Sequence, residues 1–196
     1  MSGPSENPPV PMLDPEAAVA AAREAGVPEY MADLNVFRIA LRRPRVGRAL
    51  NDLIASLIFK GALAPRLREL IIMRLGWLTG SSYEWAQHWS LCERIGIPAD
   101  DVAGVREWQA YGGFDDADRA VLAATDEAME IGYLRPETRD RCLAAVGGDP
   151  DLLLEIIAAI GNWRMFGFLL RSLEVPLDDD LVLWAPDGRA PQGSDR

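Results

Sequence analysis

From residue 44 onward, apolar positions recur every three to four residues: Val46, Leu50, Leu53, Ile54, Leu57 and Ile58 follow one another before Gly61. At about 100° per residue these side chains form one stripe, so the spacing predicts an amphipathic helix opened by Pro44 and ended by Gly61. The next segment, "RLRELIIMRLGWL", begins at Pro65 and breaks at Thr79-Gly80. It is apolar nearly all round, which predicts a helix at the centre of the fold. Ser81 or Ser82 can cap the following helix, which runs through Ile95 and stops at Gly96.

The same punctuation, proline near the start and glycine near the end, marks the rest of the chain. Asp14-Pro15 opens an alanine-rich helix that stops by Gly26, and Pro28 leads into another segment. Pro98 opens a short helix that ends before Gly112-Gly113, Asp115 or Asp116 caps one that reaches Gly132, and Pro136 opens one that reaches Gly147-Gly148. Pro150 starts the long segment "DLLLEIIAAIGNWRMFGFLLRSLE". No stretch alternates with period two for long enough to form a strand. The expected fold is all-α, a multi-helix bundle with short loops and a core drawn from residues 44–95 and 115–173.

Two ends fall outside this pattern. Residues 1–13 contain Pro4, Pro8, Pro9 and Pro11, and residues 185–196, "APDGRAPQGSDR", are rich in Pro, Gly and charge. Both read as disordered tails around a single helical domain spanning 14–184. A chain of 196 residues with 49% hydrophobic content is large enough for one well-buried core. Its net charge of -10 opposes binding to nucleic acid or to an anionic membrane, since both are held largely by Lys and Arg. No apolar run approaches the ~20 residues of a membrane helix, and the N-terminus lacks the basic start and apolar centre of a signal peptide, so a cytoplasmic protein is expected. Cys92 and Cys142 are too few for a disulfide framework and lack metal-ligand spacing.

Within "LRELIIMRLGWLTGSSYEWAQHW", residues 67–89, lies the only histidine, His88. Glu84 precedes it by one helical turn, so the two side chains lie about 40° apart on one face, together with Leu91, Cys92 and Ile95. On the preceding helix Glu69 shares a stripe with Ile72, Met73 and Gly76, and the "TG" turn folds one helix back on the other. That hairpin would bring Glu69 to Glu84 and His88. Two readings follow: a hydrogen-bonded core histidine with carboxylates paired to Arg66, Arg68 or Arg74, or a site with perturbed proton affinities. A Ser-His-Glu triad fails on reach, because Ser81 and His88 are about 10 Å apart along one helix. A metal held by Glu69, Glu84 and His88 would have one nitrogen ligand and no second histidine, so no metal is expected.

The order of Glu69, Ser81, Glu84 and His88, with "RLRELIIMR", "SYEWAQH", "RIGIP" and "NWRMFGFLLRSLEVPLD", resembles the carboxymuconolactone decarboxylase and alkyl hydroperoxidase D superfamily. The resemblance implies an all-helical fold that commonly forms homo-oligomers. In the hydroperoxidase branch the positions of Ser81 and Glu84 hold two redox cysteines, with the acid and the histidine forming a proton relay. Both cysteines are absent here, which points to the decarboxylase-like branch. A serine and a glutamate cannot replace a thiolate and its resolving thiol. The implied function is a cofactor-free lyase acting on a small carboxylated or lactone substrate, with His88 as proton donor and Glu84 or Glu69 orienting its ring. Ser81, Tyr83 and Trp85 are candidate pocket residues, and Arg74 or Arg164 a candidate for a substrate carboxylate. Two other functions stay open: a thiol peroxidase using Cys92, one turn beyond His88, and a non-catalytic small-molecule-binding homologue. The long last helix carries apolar residues on more than one face, which fits a homo-oligomer.

Overall fold

The computed structural model describes residues 9–193, and within them the elements are α1 (Pro15–Ala25), a 3-10 turn (Glu29–Asp33), α2 (Asn35–Ala40), α3 (Pro44–Ile58), α4 (Pro65–Thr79), α5 (Ser82–Ile95), α6 (Ala99–Gly104), a second 3-10 turn (Val105–Glu107), α7 (Asp116–Ile131), α8 (Pro136–Ala145) and α9 (Pro150–Ser172). No strand occurs among the described residues. The proline-start pattern holds at α1, α3, α4, α8 and α9, where a residue without an N–H costs no helical hydrogen bond.

The all-round apolar sequence of α4 explains its place. Every residue from Leu67 to Gly76 is buried, and α5, α7 and α9 pack round it. Ile71, Ile72 and Leu75 join Val121, Ala124, Ile156, Ala159, Ile160 and Trp163 in one apolar lobe. Leu70 and Met73 join Trp85, Trp89, Cys92 and Leu122 in a second. A third lobe is built by α1 to α3 against Tyr83, Phe166 and Leu170.

The α4–α5 hairpin sets the position of the buried acids. Gly80 closes α4 in the left-handed conformation (φ 66°), and the N–H of Ser81 reaches back to the Gly76 carbonyl at 2.9 Å. Ser81 then caps α5, its hydroxyl accepting from Glu84 N. Gly76 lets the two helices approach closely: a Cβ there would lie 3.3 Å from Trp85 N and 3.6 Å from Glu84 Cβ.

Two expectations need correction. The segment after α9 is docked, although Pro, Gly and charge suggested a loose tail from residue 185. Asp178 accepts hydrogen bonds from Asn35 N at 2.6 Å, Tyr83 Oη at 2.5 Å and Gln87 Nε2. Trp184 packs against Trp77 and Trp85, and the Ala185 carbonyl accepts from Trp85 Nε1 at 2.8 Å and from Arg106 Nη2 at 3.0 Å. A buried aromatic and paired charges override the loop composition. At the other end, residues 1–8 of the expected N-terminal tail lie outside the described residues, as do residues 194–196 of the C-terminal one. Leu13 is already tied to Arg38 through its N–H and its carbonyl. The second correction concerns α9, which has the length and apolar composition of a membrane span. Its Glu155 nevertheless binds the backbone N–H groups of Ala62 and Leu63, and its inner face fills the core, so it serves here as a bundle helix.

Candidate active site

Glu69, Glu84 and His88 converge, as the hairpin geometry predicts. His88 Nδ1 lies 2.7 Å from Glu69 Oε2, and His88 Nε2 lies 3.4 Å from Glu84 Oε2. The other oxygen of Glu69 accepts from Arg68 Nε at 2.8 Å, and Arg68 Nη1 donates to the Ile58 carbonyl at the end of α3. A fourth group comes from α9: Trp163 Nε1 donates to His88 Nε2 at 3.1 Å, with the two rings nearly perpendicular. Glu69 is fully buried, whereas Glu84 and His88 keep 6% and 8% of their surface exposed. The site is therefore an interior proton network with one edge that solvent or a ligand can reach.

Trp163 was not singled out from the sequence. Its signal was its place on the inner stripe of α9 with Ile156, Ala159 and Ile160, where an indole N–H has to find a buried acceptor.

The proton inventory follows from these contacts. Burial disfavours a charge on Glu69, but the His88 ring and then Arg68 outweigh it and hold the carboxyl below its ordinary range. Nδ1 of His88 accordingly carries the proton that faces Glu69, and in the neutral ring Nε2 offers a lone pair to Trp163. Burial also opposes an imidazolium at His88, yet the charge and hydrogen bond of Glu69, followed by the charge of Glu84, raise its affinity for a proton. Burial pushes the Glu84 carboxyl up to about 7, with His88 working against that rise and Glu69 adding to it. Arg68 and Glu69 cancel each other's charge. The buried cluster is therefore neutral overall when Glu84 and His88 together hold one exchangeable proton, which sits on the Glu84 carboxyl while Trp163 donates to Nε2 and passes to Nε2 only with loss of the indole bond. Two groups this close titrate as a coupled pair, and a carboxyl raised to about 7 lies where general acid–base chemistry is most effective.

Residues 44–127 match the Carboxymuconolactone decarboxylase family. Solved structures share the fold of nearly the whole chain. An uncharacterized peroxidase-related protein from Silicibacter superposes with a TM-score of 0.71 at 14% identity, covering 90% of this chain and 94% of its own. An alkylhydroperoxidase AhpD core protein from Ralstonia eutropha gives 0.69 at 16% identity, covering 91% and 95%. The debrominase Bmp8 in complex with 2,3,4-tribromopyrrole gives 0.68 at 17% identity, covering 89% and 94%. These likenesses establish a common helical fold. No curated protein matches the sequence.

The remaining candidates lie elsewhere. Ser81 is buried with its hydroxyl on the α5 backbone, which makes it a helix cap. Tyr83 points into the lobe of α1 to α3 and donates to Asp178, because five residues on a helix turn it about 140° away from His88. Trp85 stacks among Trp77, Trp89 and Trp184, so it packs the neighbouring lobe rather than a pocket. Arg74 is fully engaged by Asp126 and by the carbonyls of Val105 and Arg106, which removes it as a substrate anchor. Arg164 donates to the Ala128 carbonyl and lines a groove of about 520 Å³ with Thr79, Phe168 and Arg171. Neither His88 nor either acid lines that groove, so convergent polar groups rather than concavity locate the site. Cys92 is buried, and burial followed by the field of Glu69 pushes its thiol far above the range of a reactive thiolate. Glu69 commits both oxygens to Arg68 and His88, and no group of three or more His, Cys, Asp or Glu among the described residues is arranged to hold a metal.

Proposed function

We propose that this chain is a cofactor-free lyase that carries out proton transfer at a carbon of a small carboxylated or lactone substrate, with decarboxylation as the reaction. The observation that carries this reading is the buried convergence of Glu69, Glu84 and His88, with Nδ1 of the ring held by Glu69 and Nε2 facing both the Glu84 carboxyl and the Trp163 indole. When carbon dioxide leaves, the C–C bond breaks and its electron pair stays on a carbon conjugated with a carbonyl group. The Glu84–His88 pair delivers its proton to that carbon, and solvent reprotonates the pair at the exposed edge. Glu69 keeps its charge throughout and holds the Nδ1–H tautomer. The match of residues 44–127 to the Carboxymuconolactone decarboxylase family supports the assignment to this reaction class. A thiol peroxidase fits less well, since Cys92 is buried and strongly biased toward the neutral thiol.

The test is release of carbon dioxide from carboxymuconolactone and a panel of related lactone acids. His88→Gln should lower turnover by ~10² or more, the usual cost of losing a general acid. Cys92→Ala should leave it unchanged. Absence of turnover across the panel, or an unchanged rate in His88→Gln, would remove the lyase reading.

A further inference from the structure

Directly before Trp163, α9 carries another polar side chain into the interior. Asn162 is 4% exposed, and neither its Oδ1 nor its Nδ2 has a hydrogen-bond partner among the described residues. Leaving a buried polar group unpaired is destabilising, so an amide with both ends unpaired calls for a partner that the folded chain does not supply, a ligand among them. The third buried atom without a partner, Arg106 Nε, belongs to a guanidinium stacked over Trp77 and Trp85 in a different lobe.

Asn162 directly precedes Trp163, the residue of α9 that reaches the proton network. Its side chain stands about 100° round α9 from Trp163. That flank also carries Glu155, which grips the backbone just after α3, and Phe166, which shares an apolar cluster with Leu50 of α3 and Tyr83 of α5. Asn162 lies between these two anchors, on the seam where α9 meets α3, one residue from the indole that binds His88. Arg68, the cation of the network, is bonded to α3 at the same seam through the Ile58 carbonyl. The two arginines that the sequence offered as substrate anchors are bound elsewhere, which leaves this amide as the unclaimed donor.

We propose that Asn162 is the oxyanion donor of the His88 site: Nδ2–H holds the carbonyl oxygen of a lactone or enone substrate while Glu84 and His88 exchange a proton with the adjoining carbon. This rests on the proton-transfer reading above. Once the carboxylate has left, the electron pair remaining on carbon is delocalised onto that oxygen. A neutral amide fixed in a buried wall stabilises the charge as it develops and needs no reorganisation. It also suits the cluster electrostatically, because it adds no charge to a group that is already neutral.

The test uses His88 as a reporter, since it is the only histidine in the chain and its ring signals need no further assignment. The probe is butyrolactone γ-carboxylate, a saturated lactone acid, titrated while the imidazole NMR signals are followed in the wild type and in Asn162→Leu. The probe should shift the His88 signals in the wild type and bind Asn162→Leu roughly 3- to 10-fold more weakly, the range for one neutral hydrogen bond. Without probe, Asn162→Leu should melt at the same temperature as the wild type or higher, because an apolar side chain of similar size replaces two unpaired polar atoms. Asn162→Ala provides the same binding comparison if leucine overfills the seam. On a substrate that turns over, either variant should lower the rate by about 10² to 10³. Equal probe binding by wild type and variant would overturn the role of Asn162 and leave the proton-transfer reading standing. A clear drop in melting temperature for both variants would make the amide structural and overturn it as well. A wild type whose His88 signals ignore the probe would remove both proposals.

Discussion

At the scale of single residues the molecule turns on Glu84, a carboxyl whose burial and neighbouring acid oppose its ionisation. With a proton affinity raised to about 7, the folded chain keeps a proton that the unfolded chain releases above the ordinary carboxyl range. The sign follows directly. This contribution to stability is complete below about pH 4.5 and is lost as the pH rises through about 7, by of the order of 3 kcal/mol. His88, also raised, acts in the same direction on the alkaline side. Glu69, lowered, acts in the opposite direction: its contribution is present above the ordinary carboxyl range and is lost in stronger acid. Glu84→Gln keeps the shape and removes the titration. Its melting temperature should match the wild type near about pH 5 and exceed it near about pH 8.5, as scanning calorimetry across that range can check. Parallel curves for the two proteins would mean that Glu84 is ionised throughout.

At the scale of helices and segments, proline starts and glycine stops were legible because they follow from local chemistry: a missing N–H is harmless only in the first turn, and a left-handed cap favours glycine. The convergence of Glu69, Glu84 and His88 was legible for a related reason, since one tight turn and a glycine at the helix contact leave the hairpin little freedom. What was missed depends on long-range contacts. Trp163 is 75 residues from His88 in sequence, and nothing local says that its N–H faces an imidazole. Tyr83 and Trp85 as pocket residues and Arg74 as a carboxylate anchor do not hold, because a helix position does not reveal which neighbouring helix it meets. The segment from residue 185 reads as a loose tail because its composition is that of a loop, while Ala185 and Asp187 bind Trp85 of α5 and Arg106 of the second 3-10 turn. That contact can be measured. Trp184→Ala should cost about 3 kcal/mol in denaturant unfolding, within the range for a buried tryptophan, and should expose the Trp77–Trp85 stack to fluorescence quenching. A loss below about 1 kcal/mol would show that the segment adds little to the fold.

At the scale of the whole molecule, the distribution of apolar surface leads to the last prediction. One side of α9 is consumed by the core through Ile156, Ala159, Ile160, Trp163, Phe166 and Leu170. The opposite side presents Leu154 and Phe168, 66% and 73% exposed, together with Ile157 and Met165, and these four fall within about 80° of one another round the helix. Gly161 lies among them, and a Cβ there would meet nothing within 4 Å, so a second helix has room to approach. A continuous apolar stripe of this length on a chain of net charge -10 is a cost in water unless something covers it. We expect a second copy of this chain to do so, with α9 packing on α9 about a two-fold axis, since a self-complementary apolar patch closes most simply that way. A stable contact would have to bury about 800 Å² on each partner, more than one helix face supplies, so residues beside α9 must contribute. Exposed Leu53 on the neighbouring α3 and Phe59 just after it are available for this. Light scattering at micromolar concentration should give at least a dimeric mass for the wild type. Phe168→Glu should shift it to the monomer without altering helical content, because Phe168 takes no part in the core. A monomeric wild type would leave the stripe unexplained by self-association and defeat this prediction.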